Sequence, residues 1–260
     1  MNSLIMKGRL ITISISILLG AWIISPGNKP ILNSKSKNAS GSNSHFAVLE
    51  LFTSEGCSSC PPADNLLPEL AKRYPNTIPL SFHVDYWNHL GWDDPFSSSV
   101  YSDRQREYAS HLQLESVYTP QLIVNGEFEM VGSDRSNAEA AIEKALAEHD
   151  ETELTISDVK SSNNKVEFKV SIKGEVKKLE LLAALVQKKA TMKIKAGENN
   201  GATLSHINVV RSFSMHAAKS ENEIELSIPE NLQADNWQLI CYTRQKTEFR
   251  ITGVATYNPH

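Results

Sequence analysis

The sequence predicts a mixed α/β layer followed by a small all-β, sandwich-like domain, and three observations predict it. Up to about residue 150, short apolar runs alternate with stretches whose apolar residues recur at helical spacing. Beyond it, apolar and polar residues alternate in short runs separated by polar turns, and helical periodicity is nearly absent. The change of texture falls at one place, near Asp150.

The elements follow in order. Lys7 and Arg9 precede an apolar run from Leu10 to Ile24, and Pro26-Gly27 ends it, the layout of a secretory signal. The run falls short of the ~20 residues that comfortably span a bilayer, and no clear small-residue cleavage site follows it, so residues 1–25 read as a signal peptide or an uncleaved N-terminal tether to a membrane. Residues 26–44 are rich in Ser, Asn, Lys and Gly and read as a flexible linker. The folded part is therefore expected to be exported, periplasmic or secreted, where disulfides persist.

His45 to Thr53 is an apolar run of strand length, ended by Ser54-Glu55-Gly56. Leu66, Leu67 and Leu70 then mark one face of a helix, so the intervening Cys57-Ser58-Ser59-Cys60 lies where a strand feeds a helix. Ile78 to Val84 reads as a second strand and Ser97 to Leu114 as a helix, with the polar, aromatic stretch Asp85 to Phe96 between them. Gln121 to Val124 and Glu127 to Val131 flank Asn125-Gly126, a hairpin signal. An amphipathic helix from Asn137 to His149 closes residues 45–150. Residues 151–260 carry six strand-like runs, at Glu153 to Val159, Lys165 to Ile172, Leu179 to Gln187, His206 to Phe213, Glu223 to Ile228 and Trp237 to Thr243.

At 260 residues and a net charge of −4 the chain has room for two modest domains and gives no electrostatic case for a nucleic-acid partner. Of its three cysteines, two lie three positions apart. A crosslink that short removes little freedom from the unfolded chain, so the pair suits exchange chemistry or a metal better than bracing. At a helix start the amide groups and dipole stabilise a thiolate at Cys57, and Cys60, one turn on, is placed to resolve a mixed disulfide. A paired zinc site needs a second cysteine pair, and the other thiol, Cys241, lies in an apolar strand pattern that suits a buried, inert sulfur. His83 and His89 are candidate ligands if the reduced pair holds copper or zinc. A permanent disulfide in a non-catalytic binding module is the third reading.

Tyr118-Thr119-Pro120 before the hairpin makes the pattern more specific. A strand ending in CxxC at a helix start, then Thr-Pro opening the next strand, resembles the thioredoxin superfamily. That resemblance implies a cis Pro120 against the dithiol, Thr119 and Tyr118 docking an extended substrate, no cofactor beyond the Cys57–Cys60 disulfide, and thiol- or disulfide-bearing protein substrates with a separate redox partner. FTSEGCSSCPPAD, DYWNHLGWDDPF, YTPQLIVNG and AGENNGATLSHINVVR are similar to a family of uncharacterised exported bacterial proteins, a domain of unknown function with a thioredoxin-like fold, over roughly residues 45 to 258. Thioredoxins also carry a buried acid on the strand before the motif that assists proton transfer to the inner cysteine. Glu50 is the candidate here, one position out of register; a solvated or ion-paired edge residue is the alternative reading. Gly56 replaces the tryptophan that usually precedes the first cysteine, Glu55 would oppose thiolate formation, and Pro61-Pro62 would delay the start of the helix. Trp87 and Trp92, with Tyr86, Asp93 and Asp94, would either cap the dithiol and shape a substrate groove or form a satellite hydrophobic cluster under a long loop.

Overall fold

The computed structural model describes residues 45–148 and 152–259. The expected signal and linker lie outside them, as does the end of the last predicted helix. No helix among the described residues is long and apolar enough to cross a membrane.

The first half runs β1 (Ala47–Thr53), α1 (Pro61–Arg73), β2 (Thr77–His83), a 3-10 turn (Asn88–Leu90), α2 (Ser99–His111), β3 (Gln121–Val124), β4 (Phe128–Val131) and α3 (Arg135–Ala147). Seven strands follow: β5 (Glu153–Ser162), β6 (Lys165–Lys173), β7 (Leu179–Lys193), β8 (Thr203–Ala217), β9 (Glu221–Ser227), β10 (Trp237–Gln245) and β11 (Ile251–Tyr257). The apolar run predicted for the first strand is β1, whose every residue is buried. Such a strand has both faces covered, which is why its sequence does not alternate.

The prolines after Cys60 do not delay α1. Cys60 is the residue that caps it, and Pro61 and Pro62 occupy its first two positions, where an amide N–H has no intrahelical partner to lose. Ser98 caps α2, its side chain accepting from the Val100 amide, and Asp134 caps α3 through the Asn137 amide.

The strands form a mixed eight-stranded sheet in the order β11-β10-β7-β8-β2-β1-β3-β4 and a three-stranded sheet β5-β6-β9. β1 is parallel to β2 and antiparallel to β3, and β3 is antiparallel to β4. The expectation of a separate β domain after residue 150 is corrected by this order. β8 lies beside β2 in parallel, with Ser81 opposite Val209. Ser81 Oγ donates to the Ile207 carbonyl at 2.8 Å and Asn208 Nδ2 to the Pro79 carbonyl at 2.9 Å. The change of texture is therefore a change in what covers one shared sheet.

One face of that sheet carries a continuous apolar layer from Val48, Phe52 and Phe82 through Val210 and Ala184 to Ile240 and Val254, with Tyr101 and Tyr108 of α2 against it. The other face is divided. Leu49, Leu51, Leu122 and Val124 meet α1 and α3 through Leu66, Leu67, Leu70, Ala138 and Ile142. Leu181, Ala183, Leu185, Leu239 and Cys241 meet Leu154, Val166, Phe168, Val170 and Ile224 of the small sheet. A sandwich does exist, as the alternation in β6 and β9 indicates, but one of its layers belongs to the whole molecule. Cys241 is fully buried in it, and burial pushes its thiol pKa far up.

Candidate functional site around Cys57 and Cys60

An interior strand of the sheet, β1, delivers the chain at Thr53 into a tight turn over residues 54–60. The Gly56 amide donates to Ser54 Oγ at 3.1 Å and the Cys57 amide to the Ser54 carbonyl at 3.2 Å. The Cys60 amide then reaches the Cys57 carbonyl at 3.2 Å, and the Cys60 carbonyl accepts the first helical bond from Asp64 at 3.1 Å. Cys57 and Cys60 are joined as a disulfide with Cα atoms 5.5 Å apart. Both cysteines are fully buried, while Ser58 and Ser59 between them are exposed.

Thr119-Pro120 is cis, and it lies against this turn. Thr119 Oγ1 donates to Cys57 Sγ at 3.2 Å and itself accepts from Trp87 Nε1 at 2.8 Å. Ser59 Oγ donates to the Thr119 carbonyl at 3.3 Å, and that carbonyl oxygen is 3.9 Å from Cys57 Sγ. Trp87 also accounts for Gly56: a Cβ at position 56 would stand 3.1 Å from Trp87 Cβ. The indole that bonds the Thr119 hydroxyl thus arrives from the insertion after β2, and a side chain at position 56 would crowd it.

The remaining predicted residues are placed differently. Trp92 is one step behind the dithiol, its Nε1 donating to Glu55 Oε2 at 2.9 Å. The Tyr118 hydroxyl turns to the Glu129 carboxylate, and burial with that contact pushes its phenol pKa up. The Tyr118 carbonyl accepts from Gln105 Nε2 at 2.7 Å. Tyr86 donates to Gln105 Oε1 at 3.0 Å, and Asp93 is exposed. His89 is exposed, its Nδ1 2.8 Å from the Tyr86 carbonyl oxygen. Among the described residues no group of three or more His, Cys, Asp or Glu is arranged to hold a metal ion.

Glu50 does not serve the dithiol. Alternation along β1 puts it on the face opposite α1, where Arg104 grips it with Nε–Oε2 at 2.9 Å and Nη2–Oε1 at 2.7 Å. The Tyr242 hydroxyl donates to Oε1 at 2.9 Å. The acids near the dithiol are instead Asp64 and Glu55. Asp64 is one turn after Cys60 on the buried side of α1; Thr53 Oγ1 donates to its Oδ1 at 3.0 Å, and its Oδ2 is buried without a hydrogen-bond partner among the described residues. Glu55 points inward, so the side chain expected to oppose a thiolate at Cys57 is engaged elsewhere.

Between the two acids lies His206 of β8, which the sequence marks only as the first residue of a strand-like run. Its Nε2 is 3.5 Å from Glu55 Oε1 and its Nδ1 3.5 Å from Asp64 Oδ1. Its ring stands edge-on to His83, centroids 4.7 Å apart, and His83 Nδ1 meets Asp94 Oδ2 at 2.7 Å. Asp94 also accepts the Glu55 and Phe96 amides at 2.8 and 2.9 Å. Burial alone would raise the Asp94 pKa, but His83 and these bonds more than offset it and the net shift is downward. For His206, burial pulls the pKa down, but Asp64 and Glu55 outweigh it and hold it at about 10. The available signal was position: Thr203 to His206 alternate out and in, and His206 falls on the inward phase.

A stability prediction follows from the sign of that shift. His206 has a folded pKa above its unfolded value of about 6.5, so its contribution is fully present below pH ~6.5 and is lost as pH rises through about 10. Tm measured from pH 7 to 10 is expected to fall as this contribution is lost. The fall should be shallower in His206→Gln, and parallel slopes for the two proteins would contradict it.

Residues 48–243 match a family described as Protein of unknown function (DUF1223). A comparison with curated proteins gives no match. Among solved structures, the crystal structure of protein AGR_C_4864 from Agrobacterium tumefaciens is 25% identical and superposes with a TM-score of 0.62, covering 84% of this chain and 96% of that one.

Proposed function

The chain belongs to the DUF1223 family of proteins of unknown function, and from the site it carries we propose that it is an exported, thioredoxin-like thiol–disulfide oxidoreductase. The observation that carries this reading is the Cys57–Cys60 disulfide at the first turn of α1, with the Thr119 hydroxyl and carbonyl beside Cys57 Sγ. Supporting it, the order β2-β1-β3-β4, with α1 after β1 and α3 after β4, is the strand order of a thioredoxin-like core. The apolar run between Arg9 and Pro26 supports export.

In the reducing half of the reaction, a partner thiolate attacks Cys57 Sγ. The Cys57–Cys60 bond breaks, and Cys60 leaves as a thiolate that takes up a proton. A second partner thiolate then attacks the partner's sulfur in the mixed disulfide and Cys57 leaves as a thiolate; the partner departs as an oxidised disulfide, having given two electrons to the Cys57–Cys60 pair. In the reverse direction Cys57 attacks a substrate disulfide and Cys60 resolves it. Asp64, with one buried oxygen unbonded a turn from Cys60, takes the acid's part that the sequence assigned to Glu50. Trp87 holds the Thr119 hydroxyl toward the sulfur, and the carbonyl of Thr119 is where an extended substrate would pair.

The complete burial of both sulfurs favours one competing reading, a permanent disulfide in a binding module. Equilibration in glutathione and then dithiothreitol buffers, read by alkylation and mass, separates them. A redox-active pair titrates reversibly as a two-electron couple, a tenfold change in equilibrium constant per ~30 mV. A pair that stays oxidised at every ratio in the folded protein overturns the proposal. Cys60→Ser is expected to accumulate a mixed disulfide on Cys57 in the glutathione buffers.

A further inference from the structure

The loop between β7 and β8 reaches across to the dithiol. Its stem is closed by the Ile194 amide on the Ala202 carbonyl at 2.9 Å and the Gly201 amide on the Ile194 carbonyl at 3.0 Å. From its tip, Asn199 Nδ2 donates to two carbonyls at once, Glu55 at 2.8 Å and Cys57 at 2.9 Å. Glu198 Oε2 accepts the Ser58 amide at 3.1 Å. These are the backbone groups on either side of the sulfur that would be attacked, and they are satisfied by a segment some 140 residues away in sequence. Gly197 and Gly201 have φ of +72° and +86°, and a Cβ on Gly197 would stand 3.2 Å from Trp92 Cβ, so the loop also seats against the insertion.

We infer that residues 194–202 form a latch over Cys57, fastened by Asn199 and Glu198, which sets how large a thiol can reach the disulfide. This rests on the redox reading above. Cys57 and Cys60 have no exposed surface while the latch is down. On the opposite side, the Thr119 hydroxyl is engaged by Trp87 and its carbonyl by Ser59. The Glu55 and Cys57 carbonyls and the Ser58 amide are therefore not free to pair with an extended polypeptide until the loop lifts, whereas a thiol of dithiothreitol size needs only a brief, partial opening. The latch makes small thiols the fast class of reductant and protein dithiols the slow one. The fastenings are polar, and Glu198 is exposed, so unfastening the tip trades hydrogen bonds for water.

The test is the rate of reduction of the Cys57–Cys60 disulfide in the full chain by dithiothreitol and by a reduced ten-residue dithiol peptide. In the unmutated protein the rate with peptide is expected to level off at high peptide concentration, the plateau being the opening rate. Asn199→Ala removes both clasping bonds and is expected to raise the peptide rate by about tenfold and the dithiothreitol rate by less. Glu198→Gln is expected to act in the same direction more weakly. A peptide rate that stays linear in concentration, or an Asn199→Ala protein reduced at the unmutated rates, overturns the latch. The plateau needs no variant, so it decides the matter even if Asn199→Ala folds poorly. A protein reduced through a saturable step that turns over no disulfide substrate would keep the latch and remove the oxidoreductase. A disulfide that neither thiol reduces would remove both.

Discussion

Replacing Cys57 by serine is expected to lower turnover of a disulfide substrate by about a thousandfold or more, to the background of the buffer thiol. A serine hydroxyl is not a nucleophile toward disulfides near neutral pH, because the reactive species is a thiolate. The substitution is otherwise mild. Serine retains a polar atom for Thr119 Oγ1 and Ser59 Oγ, which stand 3.2 and 3.3 Å from the sulfur. The lost crosslink closes only a short loop, so the unfolded chain gains little freedom. Far-UV circular dichroism and Tm should stay close to those of the unmutated protein while activity disappears. Turnover that survived in Cys57→Ser would mean that Cys57 is not the attacking sulfur.

Arg104→Ala is expected to be the most destabilising single change, by about 3–5 kcal/mol in urea unfolding. The guanidinium is bidentate on Glu50, and its Nη2 also reaches the Tyr108 and Tyr242 hydroxyls at 3.1 and 3.2 Å. It lies 5.0 Å from the ring centroids of both Tyr108 and Phe213. Removing it strands a carboxylate with no exposed surface in the apolar layer, and that uncompensated charge is the main cost. The test of cause is Arg104→Met combined with Glu50→Leu, which removes both charges and should recover much of the loss. Arg104→Lys should not, since a single ammonium cannot reproduce the fork. An Arg104→Ala protein within 1 kcal/mol of the unmutated one, as an exposed pair would give, would show that the pair is hydrated.

The sequence was most informative where chemistry is local. The turn from β1 into α1 and the hairpin at Asn125-Gly126 follow from short motifs whose residue types have specific backbone requirements, whereas the proximity of Thr119-Pro120 to the dithiol follows only from the resemblance to the thioredoxin superfamily. Period-2 alternation likewise told which face of β6 and β9 is buried. It could not tell what buries it. Glu50 was placed in the wrong role because its partners, Arg104 and Tyr242, lie 54 and 192 residues away, and no local pattern announces them. β8 was read as an ordinary strand because a polar inward residue, His206, acquires meaning only once β8 is known to sit against β2. β11 was missed because Thr252 and Gly253 interrupt its apolar character, Gly253 standing where a Cβ would meet the Thr152 carbonyl oxygen at 2.5 Å.

The pairing of β2 with β8 bears on how the protein can be divided. A fragment ending near residue 150 would offer β2 as a bare, aggregation-prone strand edge. It would also leave Arg104 without Tyr242, and Asp64 and Glu55 without His206. Such a fragment should be insoluble alone and recover when co-expressed with the remainder. The two halves behave as complementary parts of one cooperative unit, and a cut between them should not yield two working modules.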